Sequence, residues 1–275
     1  MQCISPICLK KGLFVPCGKC NFCLQARRFD WAFRLYQETK VSHSAHFLTL
    51  TYNDEKIPVN PNSGIAELSK EDVQLFTKRL RKYNSKIGAD SERSNIRYYT
   101  IGEYGTRTFR PHYHSIMFNL AQETIGWLEQ IWGNGNVKVG EVNDATIMYT
   151  TKYHLNKFQD LPGRARPFTL ISNRSGGIGQ NYLNKNVWWH VENQATYVMY
   201  QGRKYPLPRY YRDKIFSPGE KEYLNMKNAK LALDNYRKSI MELKEFHHDP
   251  TSYYEERIVY AHELIKHKAN QHEKL

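Results

Sequence analysis

The stretch NIRYYTIGEYGTRTFRPHYHSIMFNL, residues 95–120, constrains the fold most strongly. Two runs rich in aromatic and β-branched residues flank the turn YGTRTFRP, which reads as a pair of antiparallel strands. Residues i and i+2 of a strand share a face, so His112 and His114 project side by side. The hairpin sets Glu103 of the first strand beside them. That placement depends on register, because a slip of one residue turns Glu103 to the other face. Two imidazoles and a carboxylate suit Mn²⁺ or Mg²⁺ with positions open for a substrate oxygen. The competing reading is a pair of histidines on a solvated sheet face.

The rest of the chain supplies elements that would surround such a hairpin. NFCLQARRFDWAFRLYQETK has apolar residues at helical spacing, with Arg27, Arg28 and Arg34 between them. These arginines are read either as phosphate contacts or as a solvated helix face. AHFLTLTYND alternates as a strand and ends in a turn signal. SKEDVQLFTKRLRKYNSK is a helix with Ser69 as N-cap, acidic residues in its first turn and basic residues in its last. IGWLEQIWGNG is a short helix, NVKVGEVN a strand, and DATIMYTTKYHLNK a helix with Asp144 as N-cap. The expected class is α+β, a mostly antiparallel sheet flanked by helices. The expected division is a Cys-rich segment and basic helix over 1–40, a sheet domain over 41–216 and two charged helices over 217–275. Residues 160–215 give no clear pattern.

The 275 residues carry 40 Lys+Arg against 27 Asp+Glu, a net charge of +13. That balance points to a polyanionic partner, and an aromatic content of 13% makes it a nucleic acid, since rings stack on unpaired bases. Arg110 beside the histidines, and Arg164, Arg166 and Arg174 with Lys185, Trp188 and Trp189, are candidate DNA contacts. For the second group, a basic loop over a core edge is an equal alternative. No apolar run reaches the length of a membrane span, and the start lacks the apolar core of a signal peptide, so no membrane partner is expected. All five cysteines fall within the first 23 residues. That clustering fits reduced thiols or a metal better than a disulfide framework. Cys3, Cys8, Cys17 and Cys20 are the expected ligands of a structural zinc, with Cys23 as an alternative.

On the helix of YTTKYHLNK, Tyr149 and Tyr153 stand one turn apart and Lys152 faces the same groove. A phenol can attack phosphorus and form a covalent phosphotyrosine, and a nearby ammonium favours the phenolate. Among 20 tyrosines such a pair arises by chance. Its weight comes from standing downstream of the His pair and its acidic neighbour in a basic chain.

Taken together, FLTLTY, GEYG with RPHYH, and YTTKY resemble the three motifs of the HUH endonucleases that initiate rolling-circle replication. VPCGKCNFC, WGNGNV, GGIGQNYL and LPRYYRDKIF narrow the resemblance to the replication initiators of gokushovirus-type microviruses, over roughly residues 1–216. The resemblance implies a nuclease with two tyrosines, Tyr149 and Tyr153, acting with Lys152. One would cut a single strand at a replication origin, leaving a 5′-phosphotyrosine and a 3′-hydroxyl for the host polymerase; the other would resolve the product. It implies a Mn²⁺ or Mg²⁺ site at Glu103, His112 and His114, and work in the host bacterial cytoplasm beside host replication proteins. The family repeats Tyr-x-x-Lys twice, whereas the second lysine here comes one residue late, at Lys157, and no role is carried onto it. No G-x-x-x-x-G-K-[ST] loop is present, so no fused helicase is expected. A single-tyrosine transposase of the same fold and a non-catalytic nucleic-acid-binding module are the alternatives.

Overall fold

The computed structural model describes residues 3, 5–8, 14–86, 95–152, 161–173, 176–245 and 249–271. Along the chain the elements are β1 (Ile7–Cys8), β2 (Phe14–Val15), α1 (Asn21–Thr39), β3 (Ala45–Thr51), α2 (Lys70–Lys86), β4 (Arg97–Tyr104) and β5 (Pro111–Phe118). They continue with α3 (Gln122–Ile125), α4 (Leu128–Trp132), β6 (Val137–Glu141), α5 (Asp144–Thr151), β7 (Phe168–Ile171) and α6 (Asn181–Glu192). The last are β8 (Tyr197–Tyr200), β9 (Arg203–Pro206), α7 (Arg209–Ile215), α8 (Pro218–Glu245) and α9 (Pro250–Gln271).

The fold is α+β, as the alternation of patterns predicts. The compact units divide the chain differently from the expected boundaries at 40 and 216. One unit comprises Arg34–Asn181; the other joins Met1–Phe33 to Tyr182–Leu275. The reason lies in aromatic packing within the second unit. Phe29 stacks on Tyr205 at 4.1 Å, and Phe33 meets Tyr182 at 5.3 Å and Tyr211 at 6.0 Å. Residues 182–216 therefore complete a core with the first part of α1. In the same unit His190 is fully buried, bonded by Nε2 to the Tyr182 hydroxyl at 2.8 Å and by Nδ1 to the Ala195 carbonyl at 2.6 Å.

The Arg34–Asn181 unit holds a five-stranded sheet in the order β6-β3-β5-β4-β7. Every neighbouring pair is antiparallel. One face carries Leu48, Leu50, Tyr113 and Met117, which pack with Val73, Phe76 and Leu80 of α2 and with Trp132 of α4 into a dry core. Burying each such side chain contributes about 1.5–3 kcal/mol. Ser69 caps α2, its Oγ accepting from the Asp72 amide at 3.1 Å. The Tyr113 hydroxyl ties that cap to the sheet, donating to the Ser69 carbonyl at 2.9 Å. Its ring lies across Gly102, where a Cβ would come within 3.2 Å of it.

The opposite face carries Phe47, Thr49, Thr51, Ile101, Glu103, His112 and His114, since these positions pair across β3, β5 and β4. At one end of this unit, buried Glu38 receives Arg97 Nε at 3.0 Å and the Gly179 amide at 2.7 Å. Arg34 Nε donates to the Ile178 carbonyl at 2.9 Å, and Arg97 also donates to that of Gly177. The glycine-rich segment 176–180 is thereby pinned to the end of α1 and to β4. In WGNG, Gly133 closes α4 in the left-handed region at φ 70°. Gly135 takes φ 152°, and a Cβ there would stand 2.6 Å from the Asn53 amide just beyond β3. Only glycine admits both the angle and the approach. Among the described residues, no helix is long and apolar enough to cross a membrane.

Candidate active site

The β4–β5 register sets Glu103 directly opposite His112, the alignment on which its place beside the histidines depended. Glu103 Oε1 lies 2.8 Å from His112 Nε2 and 2.9 Å from His114 Nε2. The far nitrogen of each ring is also held. His112 Nδ1 donates to the Arg110 carbonyl at 3.1 Å, and His114 Nδ1 meets Thr49 Oγ1 at 3.1 Å. Partners on Nδ1 fix each ring with Nε2 turned inward, the second layer that metal-binding histidines carry. Phe47 stacks on His114 at 5.3 Å with 10° between planes.

The three residues fit a cation. Their ligand atoms all lie within 4.8 Å of one another. Glu103 is only 5% exposed, and its second oxygen, Oε2, is buried without a hydrogen-bond partner. A buried, orphaned carboxylate oxygen beside two inward-turned imidazoles is what a bound divalent ion would satisfy. Charge follows geometry here. Burial opposes ionisation of Glu103, but the bonds and charge of the histidines outweigh it and hold its carboxyl down to about 2. For His112, burial is outweighed by Glu103, and its pKa rises above 6.5. For His114, burial dominates and its pKa falls. The ordinary form of the pair thus has one imidazole ready to bind and one shared with the carboxylate.

Tyr149 comes from α5. The helix is capped by Asn143, whose side chain accepts from the Thr146 amide while Thr146 Oγ1 accepts from the Asn143 amide, both at 2.9 Å. Asn143 therefore takes the capping role expected of Asp144, which is the first helical residue; Asn143 alone has the extended backbone that frees its side chain to reach back. The Tyr149 hydroxyl donates to Glu103 Oε1 at 3.2 Å and lies 3.2 Å from His114 Nε2. Burial, then the charge of Glu103, raises its pKa. Lys152, buried at the end of α5, sets Nζ 4.2 Å over the Tyr149 ring. Tyr153 and Lys157 lie outside the described residues.

The expected DNA contacts separate into distinct roles. Arg28 is 8% exposed, and desolvation lowers its pKa to about 10, so the sequence reading of a surface phosphate contact is corrected. Arg27 is exposed on the same helix, as is Arg166 on its loop. Arg110 pairs with Asp54 at 2.6 Å and donates to the Tyr52 carbonyl at 2.8 Å. Arg164 straps the β4–β5 turn, donating to the carbonyls of Phe109 at 2.7 Å and Ala66 at 3.0 Å. Phe109 holds the uncommon φ of 51° in that turn. In the other unit, Lys185, Trp188 and Trp189 are exposed on α6. Arg174 lies outside the described residues. Thr49, the Arg110 carbonyl and Phe47 were not singled out from the sequence. The strand register of FLTLTY against PHYH carries the signal for Thr49.

At the N-terminus, Cys3, Cys17, Cys20 and Cys23 converge, their sulfurs all within 4.8 Å. Cys8 was expected in this set but is exposed on β1 and outside it. The correction follows from the start of α1, which brings Cys23 onto the same side as Cys20 through the Leu24 amide bonded to the Cys20 carbonyl at 3.0 Å.

The family of replication-associated proteins named for ORF2 matches residues 45–158, the span that contains the whole Glu103–His112–His114–Tyr149 constellation. Replication-associated protein VP4 of Bdellovibrio phage phiMH2K is 28% identical over 217 residues, 72% of this chain and 66% of that protein. Replication-associated protein ORF2 of Spiroplasma virus 4 is 28% identical over 242 residues, 79% of this chain and 74% of that protein. Replication-associated protein ORF4 of Chlamydia phage 1 is 27% identical over 227 residues, 73% of this chain and 53% of that protein. The chain thus spans between about half and three quarters of the relatives it matches. No solved structure matches it. By fold and site the chain is an α+β protein with a candidate metal and tyrosine centre. By relationship it stands with the replication-associated proteins of microvirus-type phages, which supports a role in phage replication.

Proposed function

We propose that the protein nicks and rejoins single-stranded DNA at a phage replication origin, in the host bacterial cytoplasm, through a tyrosine nucleophile. The observation that carries the reading is the Tyr149 hydroxyl standing 3.2 Å from both Glu103 Oε1 and His114 Nε2. Tyr149 Oη attacks the scissile phosphorus, the Oη–P bond forms, and the bond from phosphorus to the 3′-oxygen breaks. The phenol proton is given up and the leaving 3′-oxygen takes one, so the products are a 5′-phosphotyrosine and a 3′-hydroxyl with no net proton change. Phosphodiester energy is retained in the protein–DNA link, which lets a second attack rejoin the strand. Mn²⁺ or Mg²⁺ held by Glu103, His112 and His114 would polarise the phosphodiester and stabilise developing charge. Thr49 and the Arg110 carbonyl keep the imidazoles aimed, and the Lys152 ammonium over the Tyr149 ring opposes the rise that burial and Glu103 impose on the phenol. Tyr153 is the second nucleophile by its place in YTTKY. Host replication proteins would extend the 3′-hydroxyl.

The test is incubation with Mn²⁺ and a circular single-stranded phage DNA, followed by a denaturing gel. Wild type is run beside Tyr149→Phe, Tyr153→Phe and the double variant. A covalent band lost only in the double variant supports two interchangeable tyrosines. A band lost in Tyr149→Phe alone supports Tyr149 as the obligatory first nucleophile. Binding without any covalent band, whatever the metal, sinks the proposal and leaves a nucleic-acid-binding protein.

A further inference from the structure

The cysteine cluster lies outside the catalytic chemistry, and its geometry is specific. We infer that Cys3, Cys17, Cys20 and Cys23 bind one structural Zn²⁺, and that Cys8 is not a ligand. Cys17 Sγ and Cys23 Sγ are 4.0 Å apart, and Cys20 Sγ and Cys3 Sγ are 3.9 Å apart. Four thiolates about 2.3 Å from a tetrahedral zinc stand about 3.8 Å from one another, so the spacing is that of ligands around a single ion. A disulfide would need two sulfurs within about 2.05 Å, and it joins cysteines in pairs rather than drawing four to one point. An iron–sulfur cluster also takes four cysteines, but each binds a different iron of a two- or four-iron core, which spreads the sulfurs farther apart.

The backbone around the sulfurs is arranged for thiolates. The Cys17 amide donates to Cys3 Sγ at 3.2 Å. The amides of Lys19 and Cys20 donate to Cys17 Sγ at 3.4 and 3.3 Å. Gly18 makes that turn possible with φ 71°, an angle that other residues adopt only with strain. Cys20 and Cys23 straddle the N-terminus of α1, where the helix presents its partial positive charge. Amide donors and a helix N-terminus together offset the charge of four thiolates around a divalent ion. Among divalent metals of comparable supply, an all-sulfur tetrahedron favours zinc over ferrous iron.

The test uses the full chain, purified without chelator. Metal content is measured by elemental mass spectrometry, and free thiols by alkylation followed by intact mass. One zinc per chain is expected, with rapid alkylation at a single site, Cys8. After chelation all five cysteines should alkylate. Cys8→Ser should keep its zinc and Cys23→Ser should lose it. The alkylation pattern of the wild-type chain stands even where Cys23→Ser fails to fold. Five reactive thiols before chelation, mass evidence of disulfides, iron in place of zinc, or equal zinc loss in Cys8→Ser and Cys23→Ser would each overturn the inference.

Discussion

Glu103→Gln isolates the charge at the centre of the site. The change keeps the shape of the side chain and removes the negative charge that three groups converge on: His112, His114 and Tyr149. The carboxyl is held down from an ordinary 4.5 to about 2. At about 1.36 kcal/mol per pKa unit, the folded protein favours the ionised form by about 3 kcal/mol. The glutamine resembles the neutral form, so the metal-free chain should lose about that much stability at pH 7. For a chain of this size that lowers the melting temperature of the sheet-bearing unit by roughly 6–12 °C. A depressed carboxylate stabilises above its unfolded pKa and loses that stabilisation as pH falls through its folded one. The gap between wild type and Glu103→Gln should therefore be full at pH 7 and narrow steadily from about pH 4.5 to about pH 2. Thermal unfolding in excess chelator across that range is the assay. An unchanged melting temperature at pH 7, or a gap that does not close in acid, would refute the electrostatic picture of the site. In the same variant, covalent DNA adduct formation with Mn²⁺ should fall by orders of magnitude, because a ligand and a charge are lost together.

Thr49→Val removes the hydroxyl that meets His114 Nδ1, and should weaken Mn²⁺ binding by about 10–100-fold with little change in melting temperature, read by calorimetric titration. Arg164→Ala releases the β4–β5 turn; adduct formation should drop while the salt dependence of DNA binding stays the same, whereas a phosphate contact at Arg164 would reduce that slope by about one. Metal binding needs neutral imidazoles, and the pKa of His112 is raised by Glu103, so Mn²⁺ affinity should be full well above pH 6.5 and decline as pH falls through the His112 value. In the metal-free chain the sign reverses, since the stabilisation from His112 is present below its unfolded pKa and lost as pH rises through the raised one. Titrations and melts at pH 6 and pH 8.5 should move in opposite directions; parallel changes would contradict the assignment.

The hairpin was legible because its two signals are local. Period-two alternation placed His112 and His114 on one face, and the turn length set Glu103 opposite them. The cap of α2 was legible for the same reason, since Ser69 and Asp72 are three residues apart. What escaped the sequence depends on distance or on solvent. Thr49 reaches His114 across 65 positions through strand pairing, and Glu38 meets Arg97 and Gly179 from separate elements. Arg28 looks like a surface charge in a helical pattern, yet it is buried. The β8–β9 hairpin turns on Gln201 and Gly202, both at positive φ, where the usual Asn-Gly or Asp-Gly signal is absent. Cys23 and Cys8 could not be ranked as ligands by spacing alone; the onset of α1 decides between them.

The nature of the nucleophile is tested most directly by mass spectrometry of the covalent product. A Tyr153→Phe chain is incubated with Mn²⁺ and origin-bearing single-stranded DNA, then digested with nuclease and protease. A nucleotide remnant on Tyr149 is the expected result. A wild-type adduct that vanishes in Tyr153→Phe, or a remnant on any residue other than Tyr149, would contradict the role given to the tyrosine beside Glu103 and His114.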